Sequence, residues 1–200
     1  MSVISTFLVA FLLSFLGSIP PGTLNLTALQ LGLEQKIKLG IRFAIAASII
    51  EYPYAWIAVT FEKAITSSGE TERLLQLIAA MAMITFGALN LLSATSKKPL
   101  TLANSGFRKG IIMGILNPLA LPFWIGATAY LKSLGFITLR SAAEVQAYLL
   151  GVVCGAFILL LAILYSARRA FVYLSNDRLA KRVPGFTLIA LGVYGLIDLL

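Results

Sequence analysis

Ser18-Ile19-Pro20-Pro21-Gly22-Thr23-Leu24-Asn25 stands inside a stretch, Met1 to Leu33, that holds no Asp, Glu, Lys, Arg or His. Roughly 20 apolar residues suffice to cross a bilayer as a helix, so this stretch is longer than one crossing needs. A straight helix over residues 3–33 would measure about 46 Å against a hydrocarbon core of about 30 Å. Two successive prolines remove two backbone donors and disfavour helix at the residue before each. The stretch therefore predicts a membrane span broken at Pro20-Pro21-Gly22, with helix restarting near Thr23. It reads as a retained first span rather than a signal peptide: no basic residue precedes it, and Pro-Pro-Gly replaces the small residues of a cleavage site.

The rest of the chain has the same character. Its 200 residues are 59% hydrophobic and 12% charged, with a mean hydropathy of +0.92, where soluble domains carry about 25% charge. Apolar runs at roughly 3–33, 42–61, 74–94, 110–131, 145–167 and 185–200 predict an all-α integral membrane bundle of six transmembrane helices, a single domain over 1–200. Twelve of the sixteen Lys and Arg fall in the first, third and fifth connections, from Lys36 to Arg42, Lys97 to Lys109 and Arg168 to Arg182. Positive charge is retained on the cytoplasmic side, which places both termini outside. A last segment that failed to cross would move the C-terminus inside. The net charge of +8 is thus a topology signal, and no nucleic-acid partner is expected.

The fourth run repeats the break of the first. Asn117-Pro118 is the N-cap and first-turn pair that starts a helix, and it lies eight residues in from Gly110, near mid-depth. Pro21 and Pro118 are 97 residues apart, and Phe86-Gly87-Ala88-Leu89 is echoed by Leu191-Gly192-Val193-Tyr194 at an offset of 105. These matches predict two three-helix repeats, about 1–95 and 106–200, with broken first and fourth helices. Three spans is an odd number, so the repeats are inverted, an architecture of secondary transporters whose sites lie at mid-depth beside broken helices. The half-helices starting at Thr23 and Pro118 would both begin near the midplane. Their unpaired N–H groups would suit an anion such as a carboxylate. The plainer alternative is that the prolines only kink packed helices.

Glu51 lies near the middle of the second run. A charge at that depth costs about 2.5–3.5 kcal/mol or more and usually faces a cavity or a partner. Pro53 removes the helical donor for the Ile49 carbonyl, which predicts a polar pocket beside the carboxylate. Glu51 is accordingly a candidate for binding an amine or carrying a coupling proton. The alternative is a structural Glu bonded to Asn25, Asn90, Asn117, Tyr52 or an Arg at a span end. The candidate substrate-binding set is Pro21, Gly22, Thr23, Asn25, Glu51, Asn117 and Pro118. Gly110-x-x-x-Gly114 and Gly151-x-x-x-Gly155 read as close helix packing, with a homo-oligomer contact left open. Trp56, Trp124 and Tyr130 read as interfacial anchors, and Asp198 as an outer-interface residue.

Several classes are excluded. With no His and one cysteine, Cys154, the chain has neither a His/Cys metal site nor an intramolecular disulfide, and it lacks the cysteine pair of a thiol–disulfide conductor. There is no P-loop motif, and the aspartates Asp177 and Asp198 are too few for a Mg²⁺-dependent transferase. No enzyme activity and no cofactor are expected.

The chain resembles the lysine exporter family of translocators, which includes homoserine and threonine exporters. The family's Pro-Gly-Pro in the first span, followed by a short basic loop with glycine, is matched by Pro20-Pro21-Gly22-Thr23 and by Lys36 to Arg42 around Gly40. Its Gly-x-x-x-Asn-Pro-Lys is matched from Gly110 to Pro118. Thr23 and Leu119 depart from those patterns, and Glu51 lies outside them. The resemblance implies a multi-pass protein of the bacterial inner membrane that exports amino acids or related small zwitterions, driven by a proton gradient or moving down the substrate's own. An inorganic cation exporter and a non-transporting membrane assembly protein are the alternatives.

Overall fold

The computed structural model describes residues 2–19, 22–66, 105–117, 120–167 and 169, with single positions between 77 and 91 and between 186 and 197. Among these residues the structure is helical: α1 Val3–Gly17, α2 Thr23–Leu33, α3 Ile37–Thr66, α4 Gly106–Ile115, α5 Ala120–Ser133 and α6 Ala142–Tyr165. The first run is broken where its prolines predict, and α2 restarts at Thr23. The fourth run divides into α4 and α5, bent by 65°. Pro20, Pro21, Pro118 and Leu119 lie outside the described residues, as do most of the third and sixth runs, Asn90 and Asp198.

Local chemistry sets the ends. The Ser2 hydroxyl accepts the Ser5 N–H and starts α1. Ser141 and Glu144 form a reciprocal capping box at the start of α6. The restarted half-helices α2 and α5 end in the same turn. Lys36 N–H returns to the Leu31 carbonyl and Phe136 N–H to the Leu131 carbonyl, both at 2.9 Å. The residue before each has positive φ, Gln35 at 57° and Gly135 at 71°.

α3 and α6 are each long and apolar enough to cross a membrane, and α4 with α5 makes a third crossing if the bent pair is one span. α1 is apolar but has 15 residues. The residue pattern is that of a protein in lipid. α1 turns Ile4, Leu8, Leu12 and Leu16 outward and buries Thr6, Ala10 and Ser14. Without a hydrophobic drive between helices, small residues form the seams.

Both small-residue motifs are seams. A Cβ on Gly151 or Gly155 would strike the α1 backbone at Phe7 and Phe11, and the Ser14 hydroxyl donates across this seam to the Val152 carbonyl at 2.6 Å. Gly106 and Gly110 lay α4 against the α3 backbone at Leu39 and Phe43 in the same way, and Gly114 meets the Ile50 side chain. At the described positions of the third and sixth runs, Gly192 abuts Ala80 and Ile84. Two buried clusters fill the bundle, one around Trp124, Tyr148 and Leu149, the other around Phe43, Leu160 and Leu164.

Candidate functional site

Glu51 sits within α3 with Tyr54, Ala55 and Ala58 three, four and seven residues on, the spacing of one helix face. Ala55 and Ala58 are fully buried, while Ile49, Pro53, Trp56 and Ile57 are exposed. Pro53 and the Ile49 carbonyl it frees therefore belong to the outward face. The polar pocket expected beside the carboxylate is not built there, because positions two residues away lie on nearly opposite sides of a helix.

The partner of Glu51 is Trp124 of α5. The indole Nε1–H donates to Glu51 Oε2 at 2.6 Å. This corrects the reading of Trp124 as an interfacial anchor: at 1% exposure it is the largest fully buried side chain. The break restarts the helix at Ala120, so Trp124 is four residues past a mid-span start and not at a span end. A buried indole needs an acceptor, and Glu51 supplies one. Trp56 and Tyr130 are exposed, as anchors would be. Glu51 itself is half-buried, and its second oxygen, Oε1, has no hydrogen-bond partner among the described residues.

Aromatic packing holds the indole in place. Phe123 meets Trp124 edge-on with ring centres 5.0 Å apart, and Tyr148 of α6 does so at 6.4 Å. The Tyr148 and Thr128 hydroxyls are hydrogen-bonded at 2.8 Å, one turn along α5 from Trp124.

Each break is closed by a side chain. Asn25 is 5% exposed, and its amide donates to the Ser18 carbonyl at 2.7 Å and the Ile19 carbonyl at 3.5 Å. The Tyr54 hydroxyl donates to the Ile115 carbonyl at 2.8 Å and the Gly114 carbonyl at 3.4 Å. Gly22, the N-cap residue of α2, and Thr23 are exposed, and a Cβ at Gly22 would meet nothing within 4 Å. Asn117 is half-buried; its N–H returns to Gly114, and its carbonyl accepts the Ala120 N–H at 3.3 Å.

Two side-chain contacts link the helices that flank the two breaks. Gly17, before the first, is covered by the ring of Phe123, after the second. Thr27, after the first, reaches the Met113 sulfur, before the second, at 3.6 Å. These contacts join the end of α1 to α5 and α2 to α4, while α2 and α5 themselves have no Cα pair within 8 Å among the described residues. Glu51 joins the second break through Trp124. Of the alternative partners, Asn25 holds the Ser18 and Ile19 carbonyls and Tyr52 donates to Gln146 at 2.9 Å. Trp124, Tyr54 and Tyr148 were not legible as site residues, although Tyr54 shares the helix face of Glu51.

A separate cavity of about 460 Å³ lies at the far end of α2, lined among others by Gln35, Tyr165, Ser166 and Arg169. None of its lining residues belongs to a break. Nearby, the Lys36 ammonium lies 2.8 Å from Glu34 and, with the Gln30 amide, holds that carboxyl below its ordinary range.

The family model described as LysE type translocator matches residues 4–199. No curated protein and no solved structure matches the chain.

Proposed function

Because the chain belongs to the LysE type translocator family, we propose that it is a secondary transporter exporting amino acids or similar small zwitterions on an ion gradient, the proton's first. Members of this family are transporters and not enzymes, and the apolar helices make this chain a multi-pass membrane protein. In the proposed mechanism the substrate carboxylate lies at the starts of the two half-helices, over Pro21 to Thr23 and Asn117 to Leu119, where the helix dipoles favour an anion. Its ammonium, or a coupling proton, is taken by Glu51. Asn25 keeps the first break in shape while Gly22 and Thr23 face the substrate.

The observation that carries this reading is the Glu51 carboxylate, set within a span and bonded to the helix that restarts after the second break, with Oε1 left without a hydrogen bond among the described residues. A positive helix end for an anion and a carboxylate for a cation together suit a zwitterion. The neighbours of Glu51 are an indole and a phenol, a setting for an ammonium more than for a hard cation, which takes six or more oxygens. Amino acids are therefore preferred to inorganic cations.

The helix pairings support the inverted repeat. Exchange of the first span with the fourth and the second with the fifth turns the α1–α6 seam into the α4–α3 seam, and the third–sixth contact maps onto itself. The proposed frame is six spans with both termini outside, in a bacterial inner membrane.

A thermal-shift screen of detergent-purified protein against amino acids and divalent metals tests the reading, since any ligand of the native state raises its stability. Stabilisation by an amino acid, lost in Glu51→Gln, is expected. Stabilisation by a metal alone would favour the cation exporter.

A further inference from the structure

We infer that Gln30 of α2 and Lys109 of α4 form an entry site for the cargo at the cytoplasmic end of the molecule: the Gln30 carbonyl oxygen takes its ammonium and Lys109 its carboxylate before it reaches the first break. This goes beyond the proposed function and rests on its zwitterionic cargo and its orientation in the membrane.

Apart from Asn25, which closes the first break, the polar residues of α2 form one stripe. Thr23, Thr27, Gln30 and the capping residue Glu34 follow at spacings of four, three and four, which is one face of a helix. The opposite face, with Gly32, lies against Leu164 of α6. The stripe therefore runs from the first break to the first connection, which its positive charge places in the cytoplasm.

α4 faces this stripe with Met113 and Lys109, four residues apart. The Thr27 hydroxyl reaches the Met113 sulfur at 3.6 Å. Lys109 lies close enough to Glu34 to help hold its carboxyl below the ordinary range. Gln30 sits between these two rungs.

The Gln30 amide is held one way round. Its Nε2 donates to Glu34 Oε1 at 2.7 Å, and because a carboxylate only accepts, the amide oxygen must point away from it. That oxygen, Oε1, is buried and has no hydrogen-bond partner among the described residues. A buried carbonyl without a donor is rare and destabilising, so a cargo that brings a donor is favoured there. An ammonium brings three. On the cytoplasmic side the Lys36 ammonium, 2.8 Å from Glu34, already balances that carboxylate. The half-buried Lys109 is then a surplus cation with no ion-pair partner among the described residues. An acceptor towards the break and a cation towards the cytoplasm admit an amino acid with its ammonium leading, the group that Glu51 would receive next.

Everted vesicles present the cytoplasmic end to the medium, so the uptake of labelled L-threonine, L-homoserine and L-lysine reads the site. Gln30→Met and Lys109→Gln should each raise the half-saturating concentration about tenfold, as expected for loss of one hydrogen bond to a charged group. Lys109→Arg should restore the parental value. Arg108→Gln removes the same charge from the exposed neighbour and should leave that value unchanged. The ligand-free Gln30→Met protein should melt no lower than the parent, because the substitution removes an unsatisfied buried oxygen. Three results would overturn the inference: half-saturation unchanged by Gln30→Met, Arg108→Gln acting as strongly as Lys109→Gln, or a lower midpoint in ligand-free Gln30→Met. If uptake still depended on Glu51 in those cases, the fault would lie with the entry site alone. No uptake of any of the three amino acids by the parent protein would remove the proposed function and the entry site together.

Discussion

The two breaks have different fastenings. In the first, the side chain that takes up the exposed carbonyls comes from the restarting helix itself, Asn25 reaching back seven residues to Ser18. In the second it comes from another helix, Tyr54 of α3 reaching Ile115 across 61 residues of sequence. The first break is therefore a local motif that can form as soon as α1 and α2 exist. The second exists only when α3 and α4 have packed, and the same turn of α3 carries Glu51. Local closure gives a rigid element; closure by a neighbouring helix makes the break answer to what happens on that helix.

Asn25→Ala should have the largest effect on this contrast. It leaves the Ser18 and Ile19 carbonyls without their donor at a buried position, which costs about 2 kcal/mol, read as a lower thermal midpoint in detergent. Tyr54→Phe removes one hydroxyl from a site that keeps its ring, for a smaller loss of about 0.6–1 kcal/mol. Combined, the two should add to within about 0.5 kcal/mol, because they fasten separate breaks. Strong coupling would show that the breaks are one unit. Smallest is the pair at the far ends of the half-helices. Gln35→Gly should stabilise α2 by about 0.5–1 kcal/mol by relieving a left-handed residue, and Gly135→Ala should destabilise α5 by a similar amount. Equal responses of the same sign would mean that the two turns are not equivalent.

What was legible in the sequence is what depends on neighbours in the chain. Proline placement located both breaks, and the spacing of small residues located both seams, because each acts within one or two helix turns. Glu51 stood out because a lone carboxylate in an apolar run needs no tertiary information to be noticed. Its partner was hidden: Trp124 is 73 residues away, and nothing in either local pattern specifies which helices meet. Trp124 was misplaced because its depth was counted from the span's outer end, whereas the break resets that count. The pocket expected at Pro53 failed for a related reason, since proximity along a helix is not proximity on one face.

Gradient-driven transport by the Glu51→Gln protein tests the central claim most directly. In everted membrane vesicles, uptake of labelled amino acids, with L-threonine, L-homoserine and L-lysine tried first, should respond to an imposed proton gradient in the parent protein and fall to background in the variant. Undiminished gradient-dependent transport by Glu51→Gln would contradict the account, leaving the carboxylate as no more than the acceptor for a buried indole.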